Sequence, residues 1–158
     1  MVHSPEDFMR RAIALARKSM NEGQGGPFGA VIVRQGEIIG EGKNQVVSSK
    51  DPTAHGEISA IRDACARRDS FSLQGCDIYT TGQPCPMCLG ATYWARLDRI
   101  YYGFRISDAA AIGFDDTIIF EEFAKHPEQR KIASTELLRA EALVLAEEYQ
   151  QLLQRTAY

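Results

Sequence analysis

The chain has 158 residues, of which 44% are hydrophobic and 25% charged, an ordinary composition for a single globular domain. Its net charge of -3 at pH 7 argues against a nucleic-acid-binding surface, and it contains no apolar run of about eighteen residues that could span a membrane. Because the N-terminus also lacks the apolar core of a signal peptide, we expect a cytoplasmic protein.

The first predicted element is a helix with Ser4 as its N-cap and Pro5 at its first position. Two strand-like runs follow between Phe28 and Asn44, and they predict a β-hairpin that turns at residues 34–37. The glycine-rich segment 22–30 lacks the Lys-Ser/Thr ending of a phosphate-binding loop and leads into a strand. We therefore expect this segment to form a tight turn that delivers Phe28.

The rest of the chain alternates between helical and strand-like patterns. After a loop that ends at residue 116, two further helices are expected. The predicted segments are helix 53–68, strand 76–81, helix 86–97, strand 98–104, helix 117–126 and an amphipathic helix 134–154. This order predicts one layered α/β domain over residues 1–158, with a mixed sheet and helices on both faces.

Cys85 and Cys88 lie three residues apart, directly after Pro84, at the start of a predicted helix. This spacing places both sulfurs on one face of the first turn. The positive end of the helix dipole there favours the thiolate form that metals bind. A pair with this spacing can also be a redox site, but the segment ahead lacks a thioredoxin-like pattern, so the pair alone slightly favours a metal site.

His55 begins the preceding helix and shifts the balance towards a metal. An isolated histidine at a helix start is more often a polar cap than a ligand. Two adjacent parallel helices, however, would bring His55, Cys85 and Cys88 to one point. Three protein ligands leave a fourth position for water, as in catalytic rather than structural zinc sites. We predict one Zn²⁺ per chain, held by these three residues.

Glu57 follows His55 by two residues and is not needed as a ligand. Beside a zinc-bound water it would serve as the group that accepts and transfers protons. The alternative role is a first-turn glutamate that interacts with the helix dipole.

The segments "HGE" and "PCPMC" together resemble the H-x-E and P-C-x-x-C signature of the zinc-dependent cytidine and nucleobase deaminase superfamily. The stretches "GGPFGAVIV", "DPTAHGE", "PCPMCLGATYWAR" and "AIGFDD" and the terminal tyrosine resemble its bacterial guanine deaminase branch. The resemblance covers nearly the whole chain. It implies a three-layer α/β/α sandwich of the cytidine deaminase type, with a C-terminal segment exchanged between two subunits.

The resemblance also implies roles for single residues. Asn44 would hydrogen-bond the purine, Phe28 or an aromatic residue near it would pack on the base, and His55 would lie against the substrate. Asp116 would assist proton transfer and contact the substrate amine, and Tyr158 would close the partner's site. From the residues alone, Asp116 could equally cap the next helix, and Tyr158 could be a frayed end.

Two residues depart from the pattern of that family. Gly56 stands where the family usually has alanine, and Gln83 stands where it usually has glutamate. We expect Gly56 to loosen the start of the helix or to make room beside the base. Gln83 removes a carboxylate that could contact the substrate or the residues behind the metal ligands. Neither replacement alters the zinc trio.

The predicted reaction is hydrolytic deamination of a free purine base, with guanine first. The alternatives are a nucleoside such as guanosine, a pyrimidine such as cytosine, a tRNA adenosine deaminase, and a purely structural zinc module. The acidic C-terminal helix argues against RNA. Its apolar stripe needs a surface to cover it, and we expect residues after about 117 to pack on a second copy in a homodimer. The stripe comprises Leu137, Leu138, Ala142, Leu145, Tyr149 and Leu152.

Overall fold

The protein, described here as a computed structural model covering residues 3–158, is built on one four-stranded sheet. Strands and helices alternate along most of the chain. The elements are α1 (Pro5–Asn21), β1 (Gly29–Arg34), β2 (Glu37–Lys43), α2 (Val46–Ser49), α3 (Gly56–Arg68), β3 (Asp77–Gly82), α4 (Pro86–Trp94), β4 (Arg99–Phe104), α5 (Ile106–Ala111), α6 (Thr117–Ala124), a short 3-10 helix (Pro127–Gln129) and α7 (Arg139–Gln151).

Local sequence signals set the first three elements as predicted. Ser4 caps α1 through a capping box, in which its hydroxyl accepts the Asp7 N–H and the Asp7 carboxylate accepts the Ser4 N–H. The hairpin of β1 and β2 turns at Gln35 and Gly36, which both have positive φ angles, 51° and 82°. Such angles are those of the two-residue turns that match the twist of paired strands.

The sheet is mixed, as predicted, with strand order β2-β1-β3-β4. Strand β1 pairs antiparallel with both β2 and β3, whereas β3 and β4 are parallel. Because β3 and β4 run in the same direction, the chain crosses back between them through α4. The carboxyl end of β3 leads through Gln83 and Pro84 to Cys85 at the start of that helix.

Helices cover both faces of the sheet and create two apolar layers. On one face, Phe8 of α1 packs with Val31, Val33 and Tyr79. On the other face, the buried cluster comprises Ala30, Ile32, Ala60, Ala64, Leu73, Cys76, Ile78 and Ala95. Neighbouring strand residues point to opposite layers, as the alternation along a strand requires. The result is the predicted three-layer α/β/α sandwich.

Helix α3 lies unusually close to β2, and two glycines of that strand make this possible. A Cβ atom added at Gly40 would lie 2.6 Å from Ala64 Cβ, and one added at Gly42 would lie 2.2 Å from the carbonyl oxygen of Gly56. Real Cβ atoms do not approach other atoms so closely. The absence of side chains at these two positions therefore allows α3 to pack directly against β2.

The main differences from the sequence-based expectation concern three helices. Helix α2 lies where no element was expected, and α5 lies within the expected loop. The last helix begins at Arg139 rather than at residue 134, because Leu138 adopts a left-handed backbone with φ 52°. Leu137 and Leu138 thus precede the helix whose stripe they were expected to extend.

The chain divides into two compact units, Met1–Thr117 and Ile118–Tyr158. The first unit contains the sheet and helices α1 to α5. The second contains nearly all of α6, the 3-10 helix and α7. Between residues 3 and 158, none of the helices combines the length and the apolar character needed to cross a membrane.

Candidate metal centre and substrate cavity

The ring of His55 and the thiols of Cys85 and Cys88 meet at the starts of two helices. His55 is the N-cap residue of α3, and Cys85 is the N-cap residue of α4. The His55 Nδ1 atom lies 3.6 Å from the Cys85 sulfur and 3.4 Å from the Cys88 sulfur. Both cysteines are buried, and the three ligand atoms all lie within 4.8 Å of one another.

These separations fit a tetrahedral zinc site. Zinc–nitrogen and zinc–sulfur bonds of about 2.05 and 2.3 Å at a tetrahedral angle give a nitrogen–sulfur separation of about 3.6 Å. The two observed separations, 3.6 and 3.4 Å, lie close to that value. One imidazole and two thiols are also ligands that zinc prefers over oxygen-seeking cations. His55, Cys85 and Cys88 can therefore hold Zn²⁺ with little rearrangement.

The two thiols differ in their affinity for a proton. Hydrogen bonds from the Cys88 thiol and from His55 lower the pKa of Cys85 to about 4, although burial opposes this shift. The neighbouring Cys85 and burial raise the pKa of Cys88. The surroundings of Cys85 thus favour its thiolate form at neutral pH, and Zn²⁺ held by this trio would displace the proton of the second thiol.

Glu57 lies in the first turn of α3 but points into the protein, where it is 4% exposed. Its Oε2 atom is 3.5 Å from the Cys88 sulfur, and its Oε1 atom is 3.3 Å from the hydroxyl of Thr80 on β3. Burial raises the pKa of the Glu57 carboxyl group. A carboxylate with a raised pKa, next to metal ligands, is suited to accept and return a proton near neutral pH.

A cavity of about 410 Å³ opens beside the trio, within the first unit of the chain. This volume is within the usual range for small-molecule sites. Its walls combine polar and titratable groups with aromatic and aliphatic ones. The lining residues are Gly25, Gly26, Phe28, Asn44, Val46, Val47, Pro52, His55, Glu57, Gln83, Cys85, Phe114 and Asp116.

Asn44 and Phe28 both line this cavity and are joined through their backbones. The Asn44 N–H donates to the Phe28 carbonyl oxygen at 2.8 Å, and the Asn44 side-chain oxygen accepts the Val46 N–H at 3.1 Å. Phe28 makes an edge contact with Phe114, with ring centroids 5.0 Å apart. An amide and two aromatic rings thus line the same cavity as His55 and Glu57.

Asp116 also lines the cavity, directly before the first residue of α6. The N–H of Thr117, which begins that helix, donates to the side chain of Asp115. Burial raises the pKa of Asp116, and the nearby Cys85 thiolate adds to the shift. Asp116 is therefore a second carboxyl group close to the metal trio.

The two departures from the family pattern occupy different environments. Gly56 is buried and does not line the cavity: a Cβ atom added there would lie 3.1 Å from the Phe28 carbonyl oxygen. The expectation that Gly56 makes room beside the base is thus wrong, because the space it leaves is taken by the backbone at the start of β1. Gln83 does line the cavity, and its side-chain oxygen accepts the Ile106 N–H at 3.3 Å.

Tyr158 ends the second unit of the chain, where it is 72% exposed, whereas the residues that line the cavity belong to the first. Its role in closing a site stays a prediction. The sequence reasoning missed Val46 and Val47, because a four-residue helix leaves no periodic signal. Phe114 lies within the "AIGFDD" stretch, but nothing in the sequence assigns it to the cavity wall.

A three-layer α/β/α domain with a His-Cys-Cys trio and a buried glutamate beside it defines a zinc-dependent deaminase. Residues 2–104 match the family model described as cytidine and deoxycytidylate deaminase zinc-binding region. The chain belongs to this family and is a hydrolytic deaminase.

Comparison with individual proteins shows which members of the family the chain resembles. It is 52% identical over 127 residues to the guanine deaminase of Bacillus subtilis, covering 80% of this chain and 81% of the relative. The X-ray structure of guanine deaminase from that organism matches with a TM-score of 0.95, covering 99% of both chains at 44% identity. A tRNA-specific adenosine deaminase of Aquifex aeolicus is 40% identical over 97 residues, 61% of this chain and 64% of the relative.

Proposed function

We propose that this protein hydrolyses guanine to xanthine and ammonia. The main support for this proposal is that Asn44 and the Phe28–Phe114 ring pair line the same cavity as His55 and Glu57. A flat heterocycle with several hydrogen-bonding groups is the kind of ligand that an amide between aromatic rings can orient.

The similarity to guanine deaminase supports this substrate over RNA. The match to that enzyme is higher in identity and covers more of the chain than the match to the tRNA-specific enzyme. The chain also carries a net charge of -3. Binding to RNA phosphates relies on an excess of Lys and Arg on the binding surface.

The residues that line the cavity divide between binding and chemistry. The Asn44 amide would hydrogen-bond the edge of the purine, and Phe28 would pack against the flat base. His55 would lie against the substrate through its ring, because the histidine belongs to both the trio and the cavity wall. These contacts would hold the carbon that bears the amino group next to Glu57.

Proton transfer would be the task of the two carboxyl groups. His55, Cys85 and Cys88 would hold Zn²⁺, which when bound makes water a stronger nucleophile. As water adds to the amino-bearing carbon, Glu57 takes a proton from it and gives that proton to the ring nitrogen. Glu57 would then pass the remaining proton of the added hydroxyl group to the amino group, and Asp116 would contact that amino group and assist the transfer. The oxygen would become the carbonyl of xanthine as the carbon–nitrogen bond breaks and ammonia leaves.

We also propose that the working unit is a homodimer, in which residues after about 117 pack on the partner. This proposal is supported by the many exposed apolar side chains of that segment, among them Phe123, Leu145 and Leu152. In this arrangement Tyr158 would close the partner's cavity over the base.

Incubating the purified protein with guanine, guanosine, cytosine and tRNA, and measuring ammonia release, tests the substrate. Guanine should be converted to xanthine, followed by absorbance, and should be preferred over guanosine. Deamination of cytosine, guanosine or tRNA with guanine untouched would contradict the proposed substrate. No ammonia from any of the four would contradict the proposed chemistry on these substrates.

A further inference from the structure

Gly25 and Gly26 line the cavity just before Phe28, in the glycine-rich segment that the sequence predicted to be a tight turn. Their backbones do not require glycine. The positive φ angle in this segment belongs to Gly23, at 64°, and not to Gly25 or Gly26. An alanine could adopt the same backbone at either position, so the absence of a side chain has to be explained by space.

At Gly25, the space is taken by Asn44. A Cβ atom added at Gly25 would lie 1.9 Å from the Asn44 Oδ1 atom and 2.8 Å from its Cγ atom. Asn44 is 4% exposed, and its backbone is held on both sides. Its N–H donates to the Phe28 carbonyl oxygen at 2.8 Å, and its carbonyl oxygen accepts the Ser19 hydroxyl at 2.5 Å. The Asn44 side chain is therefore the part that would have to move.

At Gly26, the space is taken by the aromatic pair. An added Cβ atom would lie 2.8 Å from Phe114 Cζ and 2.8 Å from Phe28 Cε2. Both rings are in edge contact with each other, so neither can shift away without changing the ring pair. The absence of a side chain at Gly25 thus leaves room for the Asn44 amide, and its absence at Gly26 leaves room for the two aromatic rings.

We propose that the Gly25–Gly26 pair is a positioning element for the purine: its bare backbone orients the Asn44 amide and fixes the Phe28–Phe114 wall. This role rests on the proposed function, because it requires the Asn44 amide and the aromatic pair to contact the same purine base. Neither glycine takes part in proton transfer. A methyl group at position 25 should therefore weaken substrate binding more than it slows the chemical step.

The test is a double-mutant cycle of Gly25→Ala and Asn44→Ala, with kcat and KM measured on whichever base the wild-type protein deaminates. Loss of one oriented hydrogen bond corresponds to about a tenfold rise in KM. We expect Gly25→Ala to show this rise with a smaller change in kcat and with zinc content unchanged. In the Asn44→Ala background, the same substitution should change KM by less than about twofold, because the side-chain amide that the added methyl group displaces is no longer present.

Two companion variants sharpen the test. Gly90→Ala in α4 is the control, since a Cβ atom there meets nothing within 4 Å, and it should behave as the wild type. Gly26→Ala should raise KM in both the Asn44 and the Asn44→Ala backgrounds, because it acts on the rings.

Wild-type kinetics for Gly25→Ala, or an equal effect with and without Asn44, would overturn the inference. Turnover of another base in place of guanine would contradict the proposed substrate while leaving the cycle measurable. A crystal structure of Gly25→Ala tests, without any substrate, whether the added methyl group displaces the Asn44 side chain. A rotated Asn44 amide that has lost the Val46 N–H supports it, and an unmoved amide refutes it.

Discussion

Glu57 occupies the first turn of α3, where glutamates commonly stay at the surface and interact with the helix dipole, yet it is 4% exposed. Its contacts with Cys88 and Thr80 explain the burial, because they give both oxygens a neighbour inside the protein. The spacing to His55 predicted that Glu57 lies beside the trio. The contact with Thr80 was not predictable, since it depends on which strand faces the helix.

Replacing Glu57 with glutamine should abolish most activity without removing the metal. The amide has nearly the same shape but cannot accept and return a proton at neutral pH. We expect turnover of guanine to fall by about a hundredfold or more. Zinc content and the thermal unfolding midpoint should stay close to the wild type.

Glu6→Gln is the matched control for this variant. Glu6 also lies in the first turn of a helix, but it is exposed. It should keep full activity. Near-normal turnover in Glu57→Gln would remove this residue from the proposed mechanism.

Among the helices and strands, the sequence predicted best those that are long or have a periodic apolar pattern. The α1 helix, the hairpin and the strand–helix alternation all have caps, turns or apolar patterns that act over several residues. Helices α2 and α5 have four and six residues, too short for such a pattern. The start of α7 was wrong by five residues because a left-handed Leu138 interrupts a segment whose composition still favours a helix.

Helix α5 offers a stability test at its N-terminus. Gln83, at the end of β3, accepts the Ile106 N–H and so ties the helix to the sheet. Gln83→Leu should leave that N–H without a partner and lower the free energy of unfolding by about 1 kcal/mol. Urea denaturation would measure the difference.

Gln83→Glu tests the same bond with the family's usual residue. A glutamate can still accept the Ile106 N–H, so it should be more stable than Gln83→Leu. The exposed Gln74 provides the control, and Gln74→Leu should unfold like the wild type. Equal stability of Gln83→Leu and the wild type would show that the bond contributes nothing.

For the whole molecule, the distribution of apolar surface is uneven between the two units. The first unit has buried layers on both faces of its sheet. In the second unit, large apolar side chains are exposed, with Leu145 at 66% and Phe123 at 62%. Large exposed apolar patches commonly mark sites of protein association.

Sedimentation at micromolar concentration should therefore find a dimer. The exposed face of residues after about 117 would be covered by the second copy, as proposed. Removing only Tyr158 should leave the dimer and the zinc content intact while strongly reducing guanine turnover. A fully active monomer would contradict the proposed assembly.

The metal ligands have a consequence for folding that follows from their separation along the chain. His55 and Cys85 are 30 residues apart and belong to different helices. An ion bound to both acts as a cross-link that only the folded chain can form, so its binding free energy adds to the free energy of unfolding. Free zinc at a hundred times its dissociation constant would contribute about 2.7 kcal/mol.

A chelator should accordingly lower the melting temperature of the protein by several degrees, measured by thermal unfolding with and without added zinc. Cys65→Ala should keep this dependence and about one equivalent of zinc, whereas Cys85→Ala should lose both. Identical melting curves with and without the chelator would show that the ion is not coupled to folding. Where zinc is scarce, the amount of folded protein should decline together with its turnover, which makes metal supply a control on abundance as well as on catalysis.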